Sequence, residues 1–555
     1  MKRFLFILTL ALVALAGCKK DPAPGQEPGT EQEPGTGQDA PISVVFKTSK
    51  AVGETITLGF DKYEIANVSV DGAKPKSGLA NGNWRLITYE LTSQAVTVRG
   101  DITVFHCRDN GINDITLTKD LKLFDFDCSG NELTSLDVSG LEKLEILACT
   151  SNNLTSLNIE GCESLYYVEC YRNSIKDEAM TDIVNDLPTL GTPGTGRLVV
   201  MADDCDNVIT EDDADIAISK NWDVMDNQYN NVSFPSANCY IVSEQGTYSF
   251  KTVKGNSSES VGNVASAKVL WETFGTDVAP AVGDLVKSVS YSNGKITYTA
   301  TGKKGNAVIA AKDAAGNILW SWHIWLTDQP KEQEYNHNAG TMMDRNLGAT
   351  SSTPGDVGAL GLLYQWGRKD PFLGSSSISS STVSKSTIIW PSAVSSDSSS
   401  GTIAYAIANP TTFIAYNKSN YDWYYTGSSS TDNTRWTTSE SSKSIYDPCP
   451  SGWRVPDGGD NGIWSKAGFN NTTYDSTNQG ISFSISSPSK TWYPASGYLG
   501  RNDGGLNYVG FSGYFWSASP YSNCACFLYL SYSGSVYPSD YWDLAFGHSV
   551  RCIKD

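Results

Sequence analysis

Cysteine supplies most of the reactive side chains in this 555-residue sequence, which contains 12 cysteines but only 4 histidines. Four of the cysteines, Cys107, Cys128, Cys149 and Cys170, recur at intervals of 21 residues. A regular array of thiols could hold a metal or exchange electrons. A thiol that recurs in every copy of a repeat and faces its core is more simply a small apolar residue with a raised pKa. We therefore expect these thiols to pack, with no metal and no catalytic role.

An asparagine follows each of these cysteines after three residues, and a leucine or isoleucine follows after five. A fixed period of roughly 20–29 residues with an Asn/Cys position resembles a leucine-rich repeat. The resemblance implies one short strand per coil and stacking of the coils, because no single coil can bury its apolar edge alone. We expect the asparagine amides to bond the backbone of adjacent turns as a ladder. The four asparagines are Asn110, Asn131, Asn152 and Asn173.

The other reactive side chains give weaker signals. Cys524 and Cys526 are two residues apart on a predicted strand, and they are either a redox pair or two packed thiols. We favour packing, because nothing nearby supplies a metal shell. His323 lies among tryptophans on a predicted strand, which favours a packing role. We predict no catalytic residue, no metal and no cofactor. The pairing of several cysteines stays open at this point: Cys162, Cys205, Cys239, Cys524 and Cys526.

Composition narrows the class of protein. Lys and Arg number 41 against 60 Asp and Glu, which gives a net charge of −19 and argues against nucleic-acid binding. Charged residues make up only 18% of the chain, whereas 28 tyrosines and 15 tryptophans are present. A polar, weakly charged and tyrosine-rich chain is more typical of a secreted binding protein than of a cytosolic enzyme.

The N-terminus predicts export. Residues 1–17 combine a basic start with a short apolar run, which is typical of a signal peptide and too short to span a bilayer. The residues that end at Cys18 resemble a bacterial lipobox, which implies that Cys18 is acylated and anchors the chain to a membrane. The alternative is ordinary secretion. Residues 18–41 are rich in Pro, Gly and Glu and predict a flexible tether. We expect an outer-membrane lipoprotein that faces the cell surface.

Patterning divides the rest of the chain into three domains. Residues 42–230 contain the repeats and their caps. Residues 231–330 change to period-two alternation, clearest in the run ILWSWHIWLT (318–327), which predicts a β-sandwich. Residues 331–555 carry aromatic motifs between long Ser/Thr/Gly loops. The sequence therefore predicts a multidomain chain that is mostly β with some α.

The C-terminal motifs resemble a known family. The segments DPCPSGWRVP (447–456), GYFWSAS (513–519) and GHSVRCI (547–553) occur in the order seen in the Fibrobacter succinogenes major paralogous domain. The resemblance covers about 220 residues and implies an α+β fold related to C-type lectin-like and formylglycine-generating-enzyme-like domains. Its two Cys-bearing motifs make Cys449 and Cys552 a candidate disulfide in an exported chain.

The lectin-like resemblance implies a ligand surface made by loops. The Glu-Pro-Asn and Gln-Pro-Asp tripeptides that hold calcium and sugar in such folds are absent from the sequence. We therefore expect any glycan to stack on aromatic side chains, although each of these could instead be buried. The candidates are Trp423, Tyr424, Tyr425, Trp436, Tyr521, Tyr537, Tyr541 and Trp542.

These observations favour a non-catalytic cell-surface lipoprotein that binds a glycan or protein ligand. Two alternatives stay open. The chain could be a structural component of a fimbria or surface assembly, or it could be an enzyme of the formylglycine-generating kind. Sequence does not identify the ligand.

Overall fold

The computed structural model describes residues 43–81, 84–432, 434–437, 442–486 and 488–555. The signal segment, Cys18 and the tether lie outside the described residues. The protein is 38% strand and 7% helix, in several sheets of which none closes into a barrel. The prediction of a mostly β chain with some α is therefore confirmed.

The N-terminal unit, residues 43–232, is a stack of short strands. The strands of the 21-residue coils are only three residues long, at Val104–His106, Asp125–Asp127, Ile146–Ala148 and Tyr167–Glu169. Its strands are β1 Ser43–Thr48, β2 Thr55–Asp61, β3 Ser69–Asp71, β4 Ala73–Asn81, β5 Trp84–Leu91, β6 Ala95–Arg99, β7 Val104–His106, β8 Ile112–Leu117, β9 Asp125–Asp127, β10 Ser135–Asp137, β11 Ile146–Ala148, β12 Ser156–Asn158, β13 Tyr167–Glu169, β14 Gly196–Met201 and β15 Trp222–Asp226.

A nine-stranded sheet organises this unit, in the order β15-β14-β13-β11-β9-β7-β2-β5-β4. From β7 to β15 the neighbouring strands are parallel and in register, so that Phe105, Phe126, Leu147 and Val168 follow one another in the core. The antiparallel strands β2, β5 and β4 extend the sheet on the N-terminal side. Each coil thus buries its apolar residues against the next one.

Two helices close the C-terminal end of the stack. They are α1 Glu178–Asp186 and α2 Glu211–Ser219. Thr210 begins α2 with a capping box, since its hydroxyl accepts from the Asp213 N–H and the Asp213 carboxylate accepts from the Thr210 N–H. The acidic residues of α2 are therefore partly explained as helix-start residues.

The central unit, residues 239–326, has two sheets around one core. The sheets have the strand orders β16-β22-β21-β18 and β17-β20-β19, and the buried aromatic residues Phe250, Tyr298, Trp320 and Trp322 lie between them. Its strands are β16 Cys239–Val242, β17 Gly246–Lys251, β18 Ser266–Thr273, β19 Val286–Ser292, β20 Lys295–Ala300, β21 Gly305–Lys312 and β22 Ile318–Leu326.

The C-terminal unit, residues 332–555, consists of a sheet of the order β32-β31-β36-β33-β34-β35, a four-stranded sheet and long loops. Its helices are α3 Ile403–Ala408 and α4 Ile463–Lys466. Its strands are β23 Glu332–Tyr335, β24 Gly340–Met343, β25 Leu363–Gln365, β26 Val394–Ser395, β27 Ile414–Ala415, β28 Trp453–Arg454, β29 Gly480–Ser484, β30 Lys490–Pro494, β31 Tyr498–Leu499, β32 Leu506–Asn507, β33 Ser512–Tyr521, β34 Cys524–Ser531, β35 Val536–Asp543, β36 Gly547–Ser549 and β37 Ile553–Lys554.

The central and C-terminal units share a core. Side chains of β22 alternate between its two faces, so that Trp320 and Trp322 point into the central unit while Trp325 points into the C-terminal unit. Trp325 joins Cys239, Trp271 and residues of the C-terminal unit in one buried cluster. Both faces of this strand are thus buried, one in the core of the central unit and the other against the C-terminal unit.

In the part of the chain that the structure describes, no helix has the length and apolar character needed to cross a bilayer.

Candidate binding surface

The asparagines of the repeat form a continuous ladder of hydrogen bonds. Asn131 is buried, and its Oδ1 accepts from the backbone N–H groups of Asn110 and Ile112, each over 3.0 Å. Its Nδ2 donates to the Cys107 and Cys128 carbonyl oxygens over 2.9 and 2.8 Å. One amide therefore joins two successive coils and satisfies backbone groups that would otherwise be buried without a partner.

The same bonds recur along the stack. Asn152 and Asn173 donate to the cysteine carbonyls of their own coil and of the preceding one, while Asn110 bonds Thr57 of the N-terminal cap. Asn207 adds a further rung that the sequence analysis missed, since its Nδ2 donates to Cys170 O and its Oδ1 accepts from Ile175 N. It was hidden because it lies outside the 21-residue register.

The cysteines of the repeat lie in the core. Cys107, Cys128, Cys149 and Cys170 are all free thiols with no exposed surface. Burial raises the pKa of each thiol, that of Cys170 to about 12, which keeps the reactive thiolate scarce at neutral pH. These buried thiols therefore act as small apolar residues of the core. No group of three or more potential metal ligands occurs among the described residues.

In the C-terminal unit, Cys449 and Cys552 form a disulfide. It joins the loop before β28 to the residue that precedes the last strand, β37, across a sequence separation of 103 residues. The five cysteines whose pairing the sequence left open are free. They are Cys162, Cys205, Cys239, Cys524 and Cys526.

Two of the candidate ligand-binding aromatics are interior residues. Trp423 and Trp436 have no exposed surface, and their indole N–H groups donate to the carbonyls of Trp366 and Arg368. The Arg435 guanidinium lies 4.8 Å from the Trp423 ring centroid and pairs with buried Asp422. Both tryptophans are core residues, and Trp423 also packs on a buried charge pair, so the expectation that they stack on a ligand is wrong. Tyr424 and Tyr425, beside Trp423, are half-buried.

A row of tyrosines crosses the main sheet of the C-terminal unit. Tyr529 of β34 stands opposite Tyr514 of β33 and opposite Tyr537 of β35, with ring centroids 5.1 and 5.8 Å apart. Tyr498 lies 5.0 Å from Tyr514, and Tyr508 lies 5.8 Å from Tyr498. Tyr514, Tyr529 and Tyr537 are cross-strand neighbours on one sheet face, whereas Tyr498 lies beyond β36 and Tyr508 directly follows β32. We call Tyr508, Tyr498, Tyr514, Tyr529 and Tyr537 the tyrosine row.

The row is open to solvent at both ends. Tyr508 is 58% exposed and Tyr537 is 54% exposed, Tyr498 and Tyr529 are half-buried, and Tyr514 forms the floor. A tyrosine ring offers an apolar body and a hydroxyl that can bond a polar ligand. The row can therefore provide apolar contact and hydrogen bonds over several adjacent strands.

Trp542 supports the row from its flank. This half-buried ring lies 5.5 Å from Tyr498 and 4.1 Å from Phe546. Arg501, also beside Phe546, pairs with Asp543 and lies 4.7 Å from the Tyr416 ring centroid. The edge of the row thus has a partly exposed pair of opposite charges, which can hydrogen-bond hydroxyl groups of a ligand.

The remaining candidates, Tyr521 and Tyr541, form a second exposed pair. Their ring centroids are 4.3 Å apart and each residue is 51% exposed. Strand register places them opposite Cys524 and Cys526, so they share the sheet face of those thiols rather than the face of the row. Of the eight candidates, the structure brings only Tyr537 and Trp542 to the tyrosine row.

One buried histidine, His548, lies beneath this surface, and a second, His323, lies elsewhere in the core. His548 has no exposed surface, and its ring is stacked 3.9 Å from Trp516 and 5.1 Å from Tyr514. Burial lowers its pKa well below the ordinary value, which keeps the ring neutral. His323 is buried at the junction of the central and C-terminal units, in keeping with a packing role.

Comparison with known proteins gives a weak structural similarity and no family. No protein-family model matches the chain, and no curated protein matches it. Among solved structures, one similar chain is the functional domain of InlJ from Listeria monocytogenes, which is described as including a cysteine ladder. The identity is 16%, over 40% of this chain and 52% of that chain, with a TM-score of 0.19. This chain therefore spans about half of the InlJ structure, and the low TM-score does not establish a common fold.

Proposed function

We propose that the chain is a cell-surface lipoprotein whose C-terminal unit binds glycans through the tyrosine row. The observation that carries the proposal is the run of five neighbouring tyrosines, three of them on the adjacent strands β33, β34 and β35, with exposed rings at Tyr508 and Tyr537. Sugar rings present apolar C–H faces edged by hydroxyl groups, and tyrosines match both features with little loss of side-chain entropy on binding.

Other parts of the chain support this proposal. The leucine-rich-repeat pattern and the lectin-like motifs are typical of extracellular recognition proteins, and the lipobox at Cys18 with its tether would hold these units at a membrane surface. The N-terminal and central units then act as a stalk, or as a second contact surface for a protein. Binding rather than catalysis is favoured because the four thiols of the repeat and the histidines His323 and His548 are buried, and burial shifts their pKa values away from reactivity.

The test uses residues 41–555 on a glycan array, with and without calcium. We expect a glycan signal that survives chelation, because the row supplies its contacts without a metal. The variants Tyr508→Ala and Tyr537→Ala remove exposed rings and leave the core intact. Each should weaken binding about tenfold, as loss of about 1.4 kcal/mol of contact energy would produce.

Tyr63→Ala is the matched control, since Tyr63 is 78% exposed but belongs to the N-terminal unit. Equal binding by all three variants would refute the role of the row. Absence of any glycan signal, together with binding to extracellular matrix proteins that the two row variants abolish, would assign the row to a protein ligand instead.

A further inference from the structure

Two lysines of the central unit stand directly opposite each other on neighbouring strands. The register of the antiparallel strands β17 and β20 pairs Lys251 with Lys295. Like charges directly opposite each other in a sheet are destabilising, so this pair is unfavourable for the central unit taken by itself. Carboxylates from outside the sheet are needed to offset the repulsion.

These carboxylates come from α2, the last helix of the N-terminal unit. The Lys251 Nζ lies 2.9 Å from a carboxylate oxygen of Glu211 and 3.4 Å from one of Asp215, and these two residues are four positions apart on one helix face. Lys295 pairs with Asp212, and its Nζ lies 2.8 Å from the other carboxylate oxygen of Asp215. Asp215 therefore bridges the two lysines. We call these five residues the ion-pair clamp.

The contact between the N-terminal and central units depends on charge more than on apolar packing. Among the described residues, the apolar cluster of the N-terminal unit ends at Phe234 and includes none from the central unit. A cleft of about 1140 Å³ opens beside the clamp, with Glu211 and Lys251 in its wall. The central and C-terminal units, in contrast, share a buried cluster. Units without a large apolar interface are expected to move relative to one another.

The link between the two units contains a short segment that neither unit holds by its backbone. Before this segment, the Val232 N–H donates to the Val224 carbonyl oxygen of the N-terminal unit. After it, the Ser236 carbonyl oxygen accepts from the Asn256 N–H of the central unit. In the part of the chain that the structure describes, residues 233–235 make no backbone hydrogen bond. A few such residues can absorb the dihedral changes of a hinge.

We propose that the ion-pair clamp fixes the angle between the N-terminal unit and the other two units, and that raised ionic strength releases it. Once the clamp opens, the N-terminal unit turns about residues 233–235. The five side chains are partly exposed, so dissolved ions screen their attraction. The Debye length falls from about 8 Å at 0.15 M salt to about 3 Å at 1 M. The inference does not depend on what the C-terminal unit binds.

The test measures how fast subtilisin cuts the full chain between β15 and β16, with the two fragments identified by mass. A protease needs a segment that is free to adapt to its active site, so the cleavage rate reports opening of the clamp. We expect Lys251→Gln/Lys295→Gln and Asp212→Asn/Asp215→Asn each to raise this rate at least fivefold in 0.15 M salt. The four substitutions together should raise it no further, because the two pairs act on each other.

The matched control is Lys287→Gln/Lys303→Gln, which removes the same charge from the central unit. Lys287 is exposed, and Lys303 pairs with Asp284 of its own unit, so the cleavage rate should not change. In 1 M salt the parent should be cut as fast as the clamp variants. The variant with all four substitutions should be cut at the same rate in both salts, which controls for any effect of salt on the protease.

Thermal unfolding separates opening of the clamp from loss of structure. Lys251→Gln/Lys295→Gln should not lower the unfolding temperature of the central and C-terminal units, because it removes the repulsion between β17 and β20. Faster cleavage together with a lower unfolding temperature would overturn the proposal. So would equal cleavage of the parent and the clamp variants, an equal rise in the control, or a parent rate that does not depend on salt.

Discussion

The indole N–H of Trp325 donates to the carbonyl oxygen of Ala349 over 2.9 Å, and both residues are fully buried. Trp325 ends the long strand of the central unit, whereas Ala349 belongs to the C-terminal unit. Asn238 adds bonds to the carbonyls of Ile445 and Asp447, each over 2.8 Å. The two units are thus joined by a buried, hydrogen-bonded interface.

Because of this interface, the central and C-terminal units should unfold together. Trp325→Phe removes the indole donor, leaves the Ala349 carbonyl without a partner and opens a small cavity, at a cost of about 2–3 kcal/mol. We expect one calorimetric transition for both units, shifted to lower temperature as a whole. Separate transitions of which only one moves would contradict the shared core. Tyr63→Ala should leave this transition unchanged.

The asparagine ladder should be essential to the N-terminal unit. Asn131→Ala removes an amide that satisfies four backbone groups, and we expect it to lower the free energy of unfolding by at least about 3 kcal/mol. Asn131→Asp keeps the acceptor and loses the donors, so its effect should be at least as large once its charge is buried. Chemical denaturation followed by circular dichroism measures both.

Asn153 is the matched control for this experiment. It directly follows Asn152, the ladder asparagine of the next coil, but its side chain is exposed. Asn153→Ala should change the free energy of unfolding by less than about 0.5 kcal/mol. If Asn131→Ala and Asn153→Ala lowered the free energy of unfolding equally, the ladder would contribute no more to stability than an exposed side chain does.

The repeat was predictable because its physics is local. A 21-residue period fixes which residues of successive coils stand side by side, so the positions of Asn131 and Cys128 follow from counting. The 21-residue period did not identify Asn207, because α1 and β14 lie between it and the last regular coil. Asn207 joins the ladder because it lies beside Cys170 in space, and counting along the chain does not reveal that proximity.

The tyrosine row was only partly predictable, since its members are brought together by strand order. Alternation within GYFWSAS places Tyr514 and Trp516 on one face, and this local pattern was available in the sequence. Which strands flank β33 was not, and Tyr498 and Tyr537 reach the row only because β31 and β35 belong to the same sheet. Trp423 was misassigned because an aromatic residue in a polar loop has the same local pattern whether it is exposed or packed on a buried arginine.

The Cys449–Cys552 disulfide should stabilise the shared core of the last two units. A cross-link over 103 residues restricts the unfolded chain and contributes about 4–5 kcal/mol in the chain-entropy account. The double variant Cys449→Ser/Cys552→Ser should therefore unfold at clearly lower denaturant concentration than the oxidised protein. Adding reductant should lower the stability of the parent and leave the double variant unchanged.

Cys524→Ser tests whether that effect is specific, because Cys524 is a free, half-buried thiol. Its substitution should leave the response to reductant intact. A parent whose stability ignores reductant, while its disulfide is shown by mass to be reduced, would contradict the predicted contribution.

His323 should make the interface sensitive to acid. Its ring is buried, with Nε2 2.9 Å from Asn306 Oδ1 and Nδ1 3.4 Å from the Cys239 Sγ and 3.5 Å from the Tyr364 hydroxyl oxygen. Burial lowers its pKa from the ordinary 6.5 to about 3. The unfolded chain therefore binds a proton on His323 below pH 6.5, whereas the folded chain binds that proton only near pH 3. Stability from the neutral ring is complete above pH 6.5 and is lost as the pH falls between these values.

The size of the loss follows from the same linkage, at about 1.4 kcal/mol per pH unit or about 3 kcal/mol by pH 4. Asp447 acts in the opposite direction, since burial raises its pKa to about 6, so the total pH profile contains contributions from both groups.

The comparison of the parent with His323→Gln isolates the contribution of the histidine. We expect the variant to be less stable at pH 7, because its packing is poorer, and to lose less stability than the parent on acidification. His337→Gln, at an exposed histidine, should follow the parent profile. Parallel profiles for the parent and His323→Gln would mean that the His323 pKa is the same in the folded and unfolded chains, which would contradict the predicted effect of its burial.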